Sequence, residues 1–192
     1  MKKLMILAAV AVMAIGAQAA TAAWTFNNGY MPGGTATTDK LNGCMTYLVF
    51  SSASTDVAAA YGTLAKADVD AAVKDGSLAT KAAASAATSS AGGMTTTISD
   101  FGSFKAGDSA TAYIVILDAP TLAQAKNYLV VDPTTATISW ESDVGQQTFA
   151  AGNIKALTQD AGNWSSAAAP EPTSGLLLLL GIAGIALKRK RA

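Results

Sequence analysis

The sequence predicts a mainly β domain with some α content: a small antiparallel sheet or β-sandwich interrupted by a short helical insertion. Three observations carry this. Met45 to Phe50 and Ala112 to Leu117 are short runs rich in β-branched and aromatic residues and apolar on both faces, as central strands are. Further short strand patterns recur between Gly, Pro, Asn and Asp turns. Strands and helices do not alternate regularly, which a parallel α/β fold requires.

In chain order, Trp24-Thr25-Phe26 reads as a first strand, followed by turn material at Asn27-Asn28-Gly29 and Met31-Pro32-Gly33-Gly34. Met45 to Phe50 is the second. Ser54-Thr55-Asp56 is a helix-start signal, Val69 and Val73 share a helical face, and Asp75-Gly76 closes the segment. The helical insertion is placed at about 56–76. Residues 82–93, rich in Ala and Ser, contain no large apolar anchor and read as a low-complexity loop or weakly held helix. Thr95 to Ser99 returns to β-branched residues, and the run at Ala112 to Leu117 is expected to pair with Met45 to Phe50. Thr121 to Lys126 reads as one helical turn. Tyr128 to Val131, Thr135 to Trp140 and Gln146 to Ala150 complete six or seven strands, and residues 162–169, small and polar, read as a linker.

Both ends carry membrane-directed signals. Met1-Lys2-Lys3 is a positive n-region, Leu4 to Ala17 an apolar h-region, and Ala17-Gln18-Ala19 a small-x-small pattern that predicts cleavage before Ala20. Residues 1–19 are thus a signal peptide with its own helix; Ala20-Thr21-Ala22 offers an alternative end at 22. Signal peptidase and a Sec-type translocon are the implied partners. Leu41-Asn42-Gly43-Cys44 lies too far from the h-region to serve as a lipoprotein box.

At the other end, Pro170-Glu171-Pro172 precedes the uncharged stretch Gly175 to Leu187, and Lys188, Arg189, Lys190 and Arg191 follow. A helix over 175–187 spans roughly 20 Å against a hydrocarbon core of about 30 Å. That is short for a permanent anchor and suits a segment that is processed. The four basic residues hold their side in the cytoplasm, so the chain before Pro170 lies across the membrane. The two prolines keep the approach to the membrane extended and open to an enzyme.

This combination over residues 170–192 resembles the PEP-CTERM sorting signal of Gram-negative bacteria. The resemblance implies that Pro170, Glu171 and Pro172 are a recognition motif for an exosortase, a membrane cysteine transpeptidase-like enzyme. It also implies transient residence in the inner membrane. The destination is then the cell envelope, the cell surface or the extracellular matrix of cells that make exopolysaccharide, which makes extracellular polysaccharide a candidate partner.

The region between the signals, 20–161 plus the linker, is the exported domain. It holds seven basic and twelve acidic residues from 20 to 169, a net charge of about −5, which argues against nucleic acid as a partner. The chain has no histidine and a single cysteine, Cys44. That removes Ser-His and Cys-His nucleophiles, the usual zinc ligand sets and any intramolecular disulfide. Cys44 is read as buried, with an intermolecular disulfide as the alternative. Asp68-Val69-Asp70 with Asp75-Gly76 fails as a calcium loop, because Val73 stands where a glycine is needed and no glutamate occupies the twelfth position. Asp39, Asp118, Asp132 and Asp143 sit in turns or at strand ends. Trp24 and Trp140 read as core residues and Trp164 as an exposed linker residue. Asn163-Trp164-Ser165 matches a glycosylation sequon weakly. No catalytic, cofactor-binding or metal-binding residue is expected. The exported domain is read as structural or binding, with a secreted carbohydrate-binding module or hydrolase and an unprocessed single-span anchored protein as alternatives.

Overall fold

The computed structural model describes residues 19–99 and 102–167. The signal helix with Ala17, the sorting motif, the tail helix and the basic stop lie outside the described residues. What is described is mainly β, in two sheets with short helices.

The smaller sheet has strand order β4-β1-β8: β1 is Ala20–Asn27, β4 Met94–Ser99 and β8 Gly145–Asn153. The larger runs β3-β2-β5-β6-β9, with β7 also paired to β5. Its strands are β2 Met45–Ala53, β3 Ala84–Ala87, β5 Ser109–Leu117, β6 Asn127–Val131, β7 Thr137–Ser139 and β9 Ser165–Ser166. The expected partnership is at its centre: β2 and β5 are antiparallel, with Leu48 opposite Ile114 and Thr46 opposite Ile116.

Alternation along these two strands builds three layers. Leu48, Phe50, Ile114 and Ile116 face the smaller sheet and meet Trp24, Phe26, Ile98 and Phe149 in one core. Tyr47, Val49, Tyr113, Val115 and Leu117 face the other way, onto Val69, Ala72, Val73 and Leu78. Those come from the helical insertion: α1 Thr55–Tyr61, α2 Val69–Lys74 and α3 Leu78–Lys81. A strand buried on both sides must be apolar on both sides, which is why β2 and β5 were conspicuous in the sequence. The Tyr113 hydroxyl donates to Leu64 O at 2.8 Å, tying β5 to the loop before α2. Burial in this layer pushes the Tyr113 phenol well above its ordinary value.

Three features depart from the sequence expectations. The sheets are not wholly antiparallel, because β1 and β8 run parallel, with Trp24 beside Phe149. The Ala/Ser-rich stretch expected as a loop contains β3, paired to β2 from Ala87 opposite Met45 to Ala84 opposite Leu48. Small side chains are enough there because backbone pairing to a buried neighbour holds the strand. The stretch expected as a linker from 162 is folded through Ala167.

Candidate processing sites at the ends of the folded domain

At the N-terminal end, β1 begins at Ala20, directly after Ala19 of the predicted cleavage pattern. Ala20, Ala22 and Trp24 face the core and are fully buried. As the middle strand, β1 pairs on both sides: Thr21 lies opposite Ser99 of β4 and beside Gln146 of β8, and Ala22 opposite Ile98 and beside Gln147. Trp140 stacks on Phe104 with ring centroids 4.3 Å apart, and its Nε1 points at Thr21 O from 3.5 Å.

At the C-terminal end, α4 (Lys155–Gln159) leads into a 3-10 turn at Ala161–Asn163, where Gly162 N–H donates to the Asp160 side chain at 2.8 Å. Trp164 is only 8% exposed, which corrects its assignment to an open linker. Its Nε1 donates to Thr158 O at 2.8 Å, while Thr158 Oγ1 accepts Tyr30 N–H at 3.0 Å and donates to Ile154 O at 2.9 Å. An indole whose N–H finds a carbonyl can be buried without loss. Then β9 pairs antiparallel with the start of β6, and Ala167 N–H donates to Lys126 O at 2.9 Å. Ala167 is buried, in the core cluster that also holds Tyr128 and Val73. The Tyr128 hydroxyl donates to Asp70 at 3.1 Å, and Lys74 Nζ reaches the other Asp70 oxygen at 2.6 Å. The Lys74 hydrogen bond holds the Asp70 carboxyl below its ordinary range.

Of the sequence-predicted site residues, Ala19 and Ala20 are described, Ala19 directly before β1 and Ala20 as its buried first residue. Ala17, Pro170, Glu171, Pro172, Lys188, Arg189, Lys190 and Arg191 lie outside the described residues. Ala167 to Gly175 is eight residues, ~28 Å at full extension, so the sheet edge at β9 lies within that distance of the start of the apolar segment.

The remaining candidates are occupied locally. Asp39 accepts from Thr35 N–H and Ala36 N–H, and these bonds, Ala36's first, hold its carboxyl low. Asp118 takes Lys126 N–H and the Asn127 amide, Asp143 takes Ala106 N–H, and Asp132 pairs with Lys66. Among the described residues no three Cys, Asp or Glu side chains gather in a metal-holding group. Asn163 of the sequon donates its amide to Leu157 O at 3.0 Å. Cys44 is buried, with Sγ 3.8 Å from Asn42 O and 4.0 Å from Met31 Sδ; desolvation pushes its thiol up, away from the reactive thiolate. Trp24 and Trp140 are buried, as expected, and with Trp164 also buried the three tryptophans form no exposed row for stacking on sugars.

Among the described residues are two open cavities. One of about 360 Å³ lies at the seam of the two sheets, lined by Phe26, Ala87, Ser89, Gly93, Met94 and Thr95. The other, about 260 Å³, lies between α2, α3 and the loop carrying Leu122 and Ala123. Only Lys74 and Asp75 bring charge to it, and no carboxylate pair faces either cavity. No family model, curated protein or solved structure matches this chain.

Proposed function

We propose that the chain is an exported, non-enzymatic protein of the cell envelope or extracellular matrix. Residues 1–19 lead it through the inner membrane, and an exosortase-type enzyme processes its C-terminal tail. The observation that carries this reading is the order within the tail: Pro170-Glu171-Pro172, the uncharged stretch Gly175 to Leu187, then Lys188 to Arg191. Each part has a physical role in that order. The prolines keep the motif extended, the apolar stretch halts it at the membrane, and the basic cluster fixes the side on which it stays.

The boundaries of the fold support the same reading. A cut before Ala20 leaves β1 whole, and a cut from Pro170 onward leaves every described strand intact. Cleavage at the alternative site after Ala22 takes away the first three residues of a central strand, so Ala20 is the mature N-terminus under this proposal. The exported domain then acts as a structural or binding body, with extracellular polysaccharide as its candidate partner.

Replacing Pro170, Glu171 and Pro172 together by alanine tests the sorting step. The expected result is a species retaining Ala192 that accumulates in the inner-membrane fraction. A variant that fractionates like the unaltered chain and loses the same part of its tail would overturn the role given to Pro170-Glu171-Pro172.

A further inference from the structure

Most strands at the margins of the two sheets are short or covered. β9 has two residues, β7 three and β3 four. β8 is covered part-way by Thr134, whose N–H and hydroxyl both donate to Ala150 O, at 2.8 and 2.7 Å. β4 is the exception. It is six residues long, stands at the end of its sheet and pairs only with β1 among the described residues. Its sequence, Met94-Thr95-Thr96-Thr97-Ile98-Ser99, contains none of the devices that blunt an edge: no lysine, no proline and no charge. Its ladder with β1 is unbroken, so no bulge twists it away. In the sequence, the first charge after the strand is Asp100. An open cavity of about 360 Å³ lies between Met94 and Thr95 of β4 and Ala87 at the end of β3.

The sheet face next to that edge is neutral as well. Thr95, Thr97 and Ser99 lie in register with Thr25, Ala23 and Thr21 of β1, which run beside Ala150, Thr148 and Gln146 of β8. None of these nine residues is charged, although the exported region carries a net charge of about −5.

We propose that β4 is a self-association edge: two copies of the chain pair β4 with β4, antiparallel about a twofold axis, and join two three-stranded sheets into one of six. A second copy suits this edge because it is self-complementary. Antiparallel pairing of a neutral strand with itself brings no like charges together. Residues directly opposite must share a face, which restricts the register. The register with Thr97 opposite Thr97 of the second copy sets Thr95 against Ser99 and Thr96 against Ile98. Hydroxyls then meet hydroxyls on the outer face, and β-branched side chains meet on the inner one. A five-pair edge buries less than the ~1,200–2,000 Å² of a stable complex, so dissociation constants in the micromolar range are expected. The proposal is independent of the export reading, since it uses only residues inside the folded domain.

Cysteine cross-linking of the full chain in mild detergent tests it. Directly opposed antiparallel residues have Cα atoms about 4.5–5.5 Å apart, inside the ~4.4–6.8 Å that a disulfide spans. Thr97→Cys is expected to give a disulfide-linked dimer on mild oxidation. Gln146→Cys, exposed on the same sheet face two strands away, and the unaltered chain with its buried Cys44 should form no disulfide-linked dimer. In sedimentation, the unaltered chain should dimerise with rising concentration, and Thr95→Lys with Thr97→Lys should weaken dimerisation at least ~10-fold with an unchanged circular dichroism spectrum. Three results would each overturn the proposal: cross-linking at 97 no greater than at 146, an unaltered chain that stays monomeric, or a lysine variant that dimerises as before.

Discussion

Phe50→Ala is expected to lower the stability of the domain by about 3–5 kcal/mol, the range for deleting a large buried aromatic ring. Phe50 is fully buried on β2 and sits at the centre of an aromatic cluster. Its ring meets Tyr61 edge-on at 5.9 Å, Phe104 edge-on at 6.5 Å and Phe149 tilted at 6.1 Å. Tyr61 and Phe104 stack on each other at 5.5 Å, and Phe104 stacks on Trp140. Removing Phe50 leaves a cavity that rings fixed by so many mutual contacts cannot collapse to fill. Denaturant unfolding followed by tryptophan fluorescence reads the change. Val144→Ala, at the 49% exposed Val144, serves as the control and should stay within about 0.5 kcal/mol. A loss below ~1 kcal/mol for Phe50→Ala would mean that the cluster is not the structural centre described above.

A chain beginning at Ala23 is expected to be less stable than one beginning at Ala20, on the order of 3 kcal/mol. The three deleted residues look dispensable by composition. Ala20 and Ala22 nonetheless fill core positions between the sheets, and β1 is hydrogen-bonded to β4 on one side and β8 on the other. Each lost ladder bond contributes ~0.5–1.5 kcal/mol. Gly145 to Gln147 and Ile98 to Ser99 lose their partners at the same time. Against a total stability of ~5–15 kcal/mol, that shift is visible as a lower denaturant midpoint. Equal midpoints for the two chains would show that the first turn of β1 contributes nothing, and the structural preference for Ala20 over Ala23 as N-terminus would disappear.

The parts of the fold that were legible in the sequence are those that carry their own signal. Met45 to Phe50 and Tyr113 to Leu117 are apolar on both faces because each lies in the middle layer, between the smaller sheet and the helices. The helical insertion announced itself through Ser54-Thr55-Asp56 and the Val69–Val73 spacing, and both valines are buried. What was not legible depends on distant partners. Ala84 to Ala87 becomes a strand only because β2 offers a backbone edge. The parallel pairing of β1 with β8 joins the two ends of the domain, which no local pattern encodes. Residues 155–167 were too short and too polar to show a helical period. Trp164 is nevertheless buried, held through Thr158, which itself bonds to Tyr30 far away in the chain.

The candidate site divides the same way. The reading of the tail rests on charge, hydropathy and proline placement, which are local properties of the sequence, and it stands as a proposal. The pairing of residues 165–167 with the start of β6 was not legible. With Ala167 bonded at the sheet edge, only Ala168 and Ala169 separate the described domain from Pro170. Under the proposed processing, an enzyme acting at Pro170 would meet a motif that starts three residues after Ala167 in the chain.

The intact mass of the mature protein from its native host tests the central claim most directly. The expected species starts at Ala20 and has lost the apolar segment and the basic cluster beyond Pro170, with or without an added group at the new C-terminus. A mature pool whose chains still end at Ala192 would contradict it.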